Sequence, residues 1–112
     1  KKKKTLTVNG STPVLAATGS GNDQVFVNNT GDTTVLTGSG NDTIFGGSGT
    51  DTAVYLGNRA NYTVSYNASS QTFTISDQRA GSPEGIDNVT GVEYFQFADR
   101  TIAGSSVIPP IV

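Results

Sequence analysis

A chain of 112 residues that is only 34% hydrophobic and holds 14 glycines has room for one small domain with a thin core, not for several domains. Its seven basic residues include Lys1–Lys4, so beyond that terminus three arginines face nine acids and the body carries −6; this argues against nucleic-acid partners and suits the capture of cations. With no cysteine and no histidine, disulfides and zinc centres are excluded, and a scaffold this thin needs another staple, for which a structural metal is one solution.

Lys1–Lys4 is set aside as a basic terminus, and residues 1–17 read as an N-terminal linker with cap strands. The strands are Leu6–Val8 and Val14–Ala16, broken by Asn9-Gly10 and Pro13. No signal-peptide pattern precedes them, and no run approaches the roughly 18 apolar residues of a membrane span. Residues 18–56 repeat. Thr-Gly-Ser-Gly-Asn-Asp stands at Thr18–Asp23 and again at Thr37–Asp42, each copy followed by x-apolar-Phe. A second glycine-containing stretch in each unit ends in Asp32 or Asp51, so the aspartates fall at 23, 32, 42 and 51. Short apolar runs at Val25–Val27, Val35–Leu36, Ile44–Phe45 and Val54–Leu56 lie between turn residues and read as strands. A half-repeat of about nine residues ending in Asp-x-apolar is the pattern of a parallel β-helix whose turns bind calcium.

Residues 57–102 change period. Tyr62-Thr-Val64-Ser-Tyr66 and Phe73-Thr-Ile75-Ser alternate apolar and polar residues across Asn67–Ser70, which predicts an antiparallel hairpin. Further on, Gly85-Ile-Asp87-Asn-Val89 echoes the end of a repeat, before a strand at Tyr94–Phe97. The segment is expected to cap the repeats, leaving 103–112 as a tail. The fold class is therefore all-β: a short parallel β-roll capped by an antiparallel segment.

Stacking coils at the β spacing of roughly 4.8 Å is expected to set Asp23 beneath Asp42 on one edge and Asp32 beneath Asp51 on the other. The 19-residue offset needs an extra residue per coil, expected near Thr33–Thr34 and Thr52–Ala53; the position above Asp42 falls on uncharged Asn61. Stacked carboxylates repel, and neither turn holds a Lys or Arg. Ca²⁺ resolves the repulsion because it accepts six to eight oxygens at roughly 2.3–2.6 Å, whereas Mg²⁺ demands a stricter octahedron. Calcium is the cofactor expected.

These turns resemble the Gly-Gly-x-Gly-x-Asp-x-apolar-x nonapeptide of the RTX, or hemolysin-type calcium-binding, proteins. Gly46–Val54 fits it apart from the small Ala53, and Thr18–Phe26 and Thr37–Phe45 fit with Thr in place of the first glycine. Val27–Leu36 departs most. The resemblance implies a β-roll in which each ion takes backbone carbonyls from two successive turns and both aspartates. It would place one ion on Thr18, Ser20 and Asp23 with Gly38, Gly40 and Asp42. A second would lie on Val27, Asn29 and Asp32 with Gly47, Gly49 and Asp51. It further implies a monomeric module of a larger bacterial protein, exported by type I secretion machinery and folding extracellularly on calcium. Residues 103–112 could then belong to a secretion signal.

No enzyme activity is expected, because no serine has an activating partner and nothing implies a cleft between carboxylates. The later acids Asp77, Glu84, Asp87, Glu93 and Asp99 read as solvated ends of strands and loops, and Tyr62, Tyr66, Phe73, Phe95 and Phe97 as core. The twin repeat also resembles ice-binding β-solenoid repeats of giant bacterial adhesins, which makes a surface-binding module the alternative. The noncatalytic tail of a secreted enzyme is a third.

Overall fold

The computed structural model describes residues 3–81 and 84–107. Among the described residues eleven short strands form two sheets facing one another, and the architecture is all-β with mostly parallel pairing. Strands alternate between the sheets as the chain coils. One sheet takes β1 (Thr5–Val8), β3 (Gln24–Val27) and β5 (Thr43–Phe45); the other takes β2 (Val14–Ala17), β4 (Thr33–Leu36) and β6 (Thr52–Val54). After a 3-10 turn at Arg59–Asn61 comes the hairpin of β7 (Tyr62–Asn67) and β8 (Thr72–Asp77). The chain then re-enters the roll through β9 (Ile86–Thr90) in the first sheet and β10 (Tyr94–Gln96) in the second.

The roll thus has four coils, not two. The strands expected within residues 1–17 form a complete first coil: Thr5 pairs with Gln24, and Val14 with Thr33, both in parallel. Pairing of Ile44 with Val89 and Ala53 with Phe95 makes β9 and β10 the fourth. The antiparallel strands then close the stack, β8 and β7 beside β9, and β11 (Thr101–Ala103) beside β10. An antiparallel strand cannot feed another coil, so these strands end the repeat and cover an otherwise exposed end.

The alternation of each strand explains the core. Leu6, Val25, Ile44, Val89 and Phe73 run in register across the first sheet, and Ala16, Val35, Ala53, Phe95 and Ile102 across the second. Val25, Ile44, Val89 and Phe95 are completely buried, each contributing about 1.5–3 kcal/mol of apolar burial. Small and large residues complement one another between the coils. Tyr62, Phe73, Phe95 and Phe97 pack in this core as expected, with Tyr66 partly buried against it. The expected tail begins as β11 and a 3-10 turn at Gly104–Ser106; the remainder of the suggested secretion signal, 108–112, lies outside the described residues.

Spacing between coils is not uniform. Strands β3 and β5 align at 19 residues, but β4 and β6 align at 18, Thr34 with Thr52. Between the paired levels of Phe45 and Thr52 the chain is one residue shorter than between the matching levels of Thr7 and Leu15 or of Phe26 and Thr34. The extra residue therefore sits in the 28–32 turn, not in the strands at Thr33–Thr34 and Thr52–Ala53.

Candidate metal centre

On one edge of the roll the two Thr-Gly-Ser-Gly-Asn-Asp turns stack as expected, because β3 and β5 on either side hold a 19-residue register. Each aspartate reaches back one coil. The Lys4 N–H donates to Asp23 Oδ1 (2.9 Å), the Asp23 N–H to Asp42 Oδ1 (2.8 Å), and the Asp42 N–H to Asp87 Oδ1 (2.8 Å). The asparagines run the opposite way: Asn22 Oδ1 accepts from the Asn41 N–H, and Asn41 Oδ1 from the Ile86 N–H. The Asn-Asp pair thus satisfies backbone donors on both neighbouring coils, which explains why the two residues recur together.

Glycine is required where these turns touch. Gly40 has φ of +101°, and a Cβ there would run into the Gly21 carbonyl; Gly85, at +70°, meets the Gly40 carbonyl in the same way. The carbonyls that face a glycine of the next coil on this edge are those of Gly19, Gly21 and Gly40. Ser20, expected to supply a carbonyl to a metal, instead accepts the Lys4 ammonium at 3.1 Å, and the Thr18 hydroxyl donates to the Thr37 carbonyl.

The third member of the row is Asp87. Asn61, which counting places above Asp42, lies instead in the turn before β7, because the hairpin interrupts the repeat. Asp23, Asp42 and Asp87 are at most 1% exposed, and Oδ2 of each has no hydrogen-bond partner. The Tyr55 hydroxyl is a fourth buried atom without one. Burial pushes Asp42 up to about 6 and Asp87 up to about 8, and raises Tyr55 well above an ordinary phenol. The charge of Asp42 raises Asp87 further, and that of Asp23 raises Asp42, as like charges do.

The opposite edge is built differently. The 18-residue register puts Asp51 over Thr33, so the expected stacking of Asp32 beneath Asp51 does not occur. Asp51 Oδ1 accepts from the Thr33 N–H (3.1 Å), Oδ2 from the Gly47 N–H (2.9 Å), and the Asp51 N–H donates to Glu93. Asp32 is exposed and accepts from the Thr50 N–H. Asn29 is buried and bonded to the Thr12 carbonyl, the Thr33 hydroxyl and the Gly31 N–H. Gly49 lies against the Gly31 carbonyl and Gly47 against that of Val27. Among the described residues, this edge holds no orphaned buried carboxylate oxygen.

The two edges therefore differ in their fit to an oxygen-seeking cation. On the Asp23–Asp42–Asp87 edge, three desolvated oxygens receive no backbone donor, with the Thr37 hydroxyl acting on Asp42 and the Tyr55 hydroxyl on Asp87, beside glycine turns that bring carbonyls close. On the Asp32/Asp51 edge the backbone has already satisfied the buried acid. Among the described residues no group of three His, Cys, Asp or Glu side chains could hold a metal by itself, so backbone carbonyls would have to complete any such site.

Three of the later acids are not solvated strand ends: Asp77, Glu84 and Asp87 are buried. Arg79 binds Asp77 (2.9 Å), reaches Glu84 (3.6 Å) and donates to the Tyr62 hydroxyl (3.1 Å), which itself donates to Glu84. Burial opposes ionisation of Asp77, but Arg79 holds its carboxyl below the usual range. Glu84 also accepts from the Leu56 N–H. This network pins the hairpin to the roll.

No protein-family model matches the chain, and no curated protein matches it. Among the described residues no helix is long and apolar enough to cross a membrane.

Proposed function

We propose that this chain is a calcium-binding folding module of the RTX kind, with its ions in the stack of glycine turns that carries Asp23, Asp42 and Asp87. The observation that carries the reading is the row of three buried carboxylates, each with one oxygen lacking any partner. Burying ionised oxygens without a counter-charge is costly. A hard divalent cation supplies that counter-charge and accepts the carbonyls that glycine turns leave available. The resemblance of the repeats to the RTX nonapeptide points the same way.

Such a module is coupled to its ion. Without calcium, like charges repel along the row and the thin core does not offset chain entropy. With calcium, the free energy of ion binding becomes free energy of folding. Type I export of an extended chain, followed by folding where calcium is plentiful, is the setting this chemistry suits. Circular dichroism from EDTA to millimolar Ca²⁺ tests the reading. A coil-to-β transition, poorly reproduced by Mg²⁺ and strongly weakened in Asp42→Ala, is the expected result; a fold indifferent to chelation would sink it.

One observation favours surface binding as a second reading. The outer face of the first sheet aligns Thr5, Gln24, Thr43, Asn88, Thr74 and Ser65 across six strands. It is wider than two coils would provide and carries no charge in that row. Thermal hysteresis measured with calcium present decides: a clear effect would support an ice-binding module.

A further inference from the structure

We infer that the outer face of the first sheet binds an uncharged, extended β-linked glycan laid across its strands, with the stacked rings of Phe26 and Phe45 as its platform. This takes up the surface-binding reading with a different ligand, and it needs calcium only so far as the fold does.

Alternation turns every second side chain of a strand outward. On β1, β3, β5, β9, β8 and β7 none of the outward residues is charged, although a soluble surface is commonly about a quarter to a third charged and the body of this chain is acidic. Two outward rows cross the six strands in register. One is the row from Thr5 to Ser65, wholly hydroxyl and amide. The other runs Thr7, Phe26, Phe45, Thr90, Thr72 and Asn67.

Phe26 and Phe45 stack with centroids 5.0 Å apart and planes 8° from parallel. They alternate with the core residues Val25, Val27 and Ile44, and Phe45 is 39% exposed. Their neighbours along the row are Thr7 and Thr90, so among the described residues the far side of each ring meets no other ring. A ladder built only to hold coils together would continue with apolar residues; this one stops at threonine and sets hydroxyls beside the ring. The Thr90 hydroxyl lies 3.2 Å from that of Thr72. Asn88 Oδ1 accepts from the Thr74 hydroxyl at 3.4 Å, which leaves the Asn88 amide N–H₂ to donate to a ligand.

A pyranose with equatorial hydroxyls complements both rows. Its flat C–H face suits an aromatic ring, and its hydroxyl edge donates and accepts. Strands lie roughly 4.8 Å apart, close to the advance per sugar of an extended β-linked chain, so a glycan crossing the strands meets the rows about once per residue. Neutrality follows from the same face. No outward residue of these strands pairs with a carboxylate or sulfate, and the acidic body repels a polyanion. The rings also favour this ligand over ice, because phenyl groups are bulkier than the threonines beside them and interrupt a regular hydroxyl array.

Affinity electrophoresis of the full chain in calcium, through gels holding hydroxyethylcellulose, is the test. Carboxymethylcellulose supplies the same backbone with charge, and dextran a coiled, α-linked one. Wild type is expected to be retarded by the first alone. Phe45→Leu keeps apolar volume without the ring and is expected to weaken binding about tenfold; Asn88→Ala is expected to weaken it too, and Phe45→Trp to preserve it, all with the β signal of wild type. Folded wild type that is not retarded, or is retarded equally by either control polymer, would overturn the inference. So would Phe45→Leu and Asn88→Ala binding as wild type does. Thermal hysteresis without retardation would overturn it as well and give the face to ice. Should Phe45→Leu not fold, Asn88→Ala decides, since Asn88 is exposed. Circular dichroism of the same samples with EDTA reads the calcium response separately, so either reading can fail while the other stands.

Discussion

Replacing Asp42 with asparagine should reverse the sign of its effect on stability when calcium is added. Asp42 accepts the Asp23 N–H through Oδ1 while Oδ2 has no partner. Asparagine can keep the first bond and place an amide donor among the neighbouring carboxylates. Burial raises Asp42 to about 6 from the model-compound 3.8, so its protonated form is the one the fold favours. That contribution is fully present below the unfolded value of about 3.9 and is lost as pH climbs through about 6. At neutral pH without metal, the ionised side chain therefore costs about 2–3 kcal/mol. Asp42→Asn should recover much of this in EDTA. Urea denaturation followed by circular dichroism measures it, with an excluded osmolyte to bring the metal-free fold into range. In calcium the balance inverts, because Asp42 faces both gaps of the row. A ligand present at a hundredfold its Kd stabilises by about 2.7 kcal/mol, which the variant forfeits. Equal destabilisation in EDTA and in calcium would refute the reasoning and leave Asp42 a plain acceptor for the backbone.

Three further outcomes are expected. The metal-free chain should gain β signal and thermal stability as pH falls from about 8 to about 5, since Asp87 and then Asp42 shed unfavourable charge; at lower pH stability should decline again, because Asp77 is held below its ordinary range and loses Arg79 on protonation. A thermal midpoint flat across that window would count against the buried row. Asp51→Asn should cost about 1–3 kcal/mol whether or not calcium is present, because it weakens backbone capping; calorimetry should find the number of bound ions unchanged, and a lost ion would restore the Asp32/Asp51 edge as a site. Tyr62→Phe removes the hydroxyl shared by Gly57, Arg79 and Glu84 and should cost about 2–3 kcal/mol in urea melts in calcium, whereas a change within experimental error would show that the hairpin docks through its apolar face alone.

The fold class and the Asp23/Asp42 edge were legible because one signal, the repeated Thr-Gly-Ser-Gly-Asn-Asp, encodes both the turn and the register. Three parts were not. The first coil lacks the glycine-aspartate motif, so Thr5–Val8 read as a cap; its signal was the match of Leu6 to Val25 and Ile44 at the same 19-residue offset. The fourth coil was visible only as an echo at Gly85–Val89, because counting cannot anticipate that a hairpin interrupts the repeat. Asp32 misled for a local reason. Its offset to Asp51 is 19, but the strand beside it steps by 18, and one residue of slip turns a side chain to the other face. The residue of the preceding coil at the level of Asp51 is the buried Thr33, not Asp32.

The row beginning at Lys4 shows why cations are called for only in its middle. In register across the first sheet stand Lys4, Asp23, Asp42, Asp87, Ile75 and Val64. At one end the Lys4 N–H caps Asp23 and its ammonium sits on the carbonyl of Ser20 in the same turn; at the other, the change to antiparallel pairing brings apolar residues. Each aspartate gives one oxygen to the coil before it, and that bond fixes the side chain inward whether or not it is charged. The second oxygen is therefore committed to the interior by the same geometry that builds the coil. Moving it to solvent would require breaking the inter-coil bond, so neutralisation must come from a proton or an ion. At neutral pH a proton serves Asp87, raised to about 8, but not Asp42, raised only to about 6, and the gaps on either side of Asp42 are where an ion has the most to stabilise.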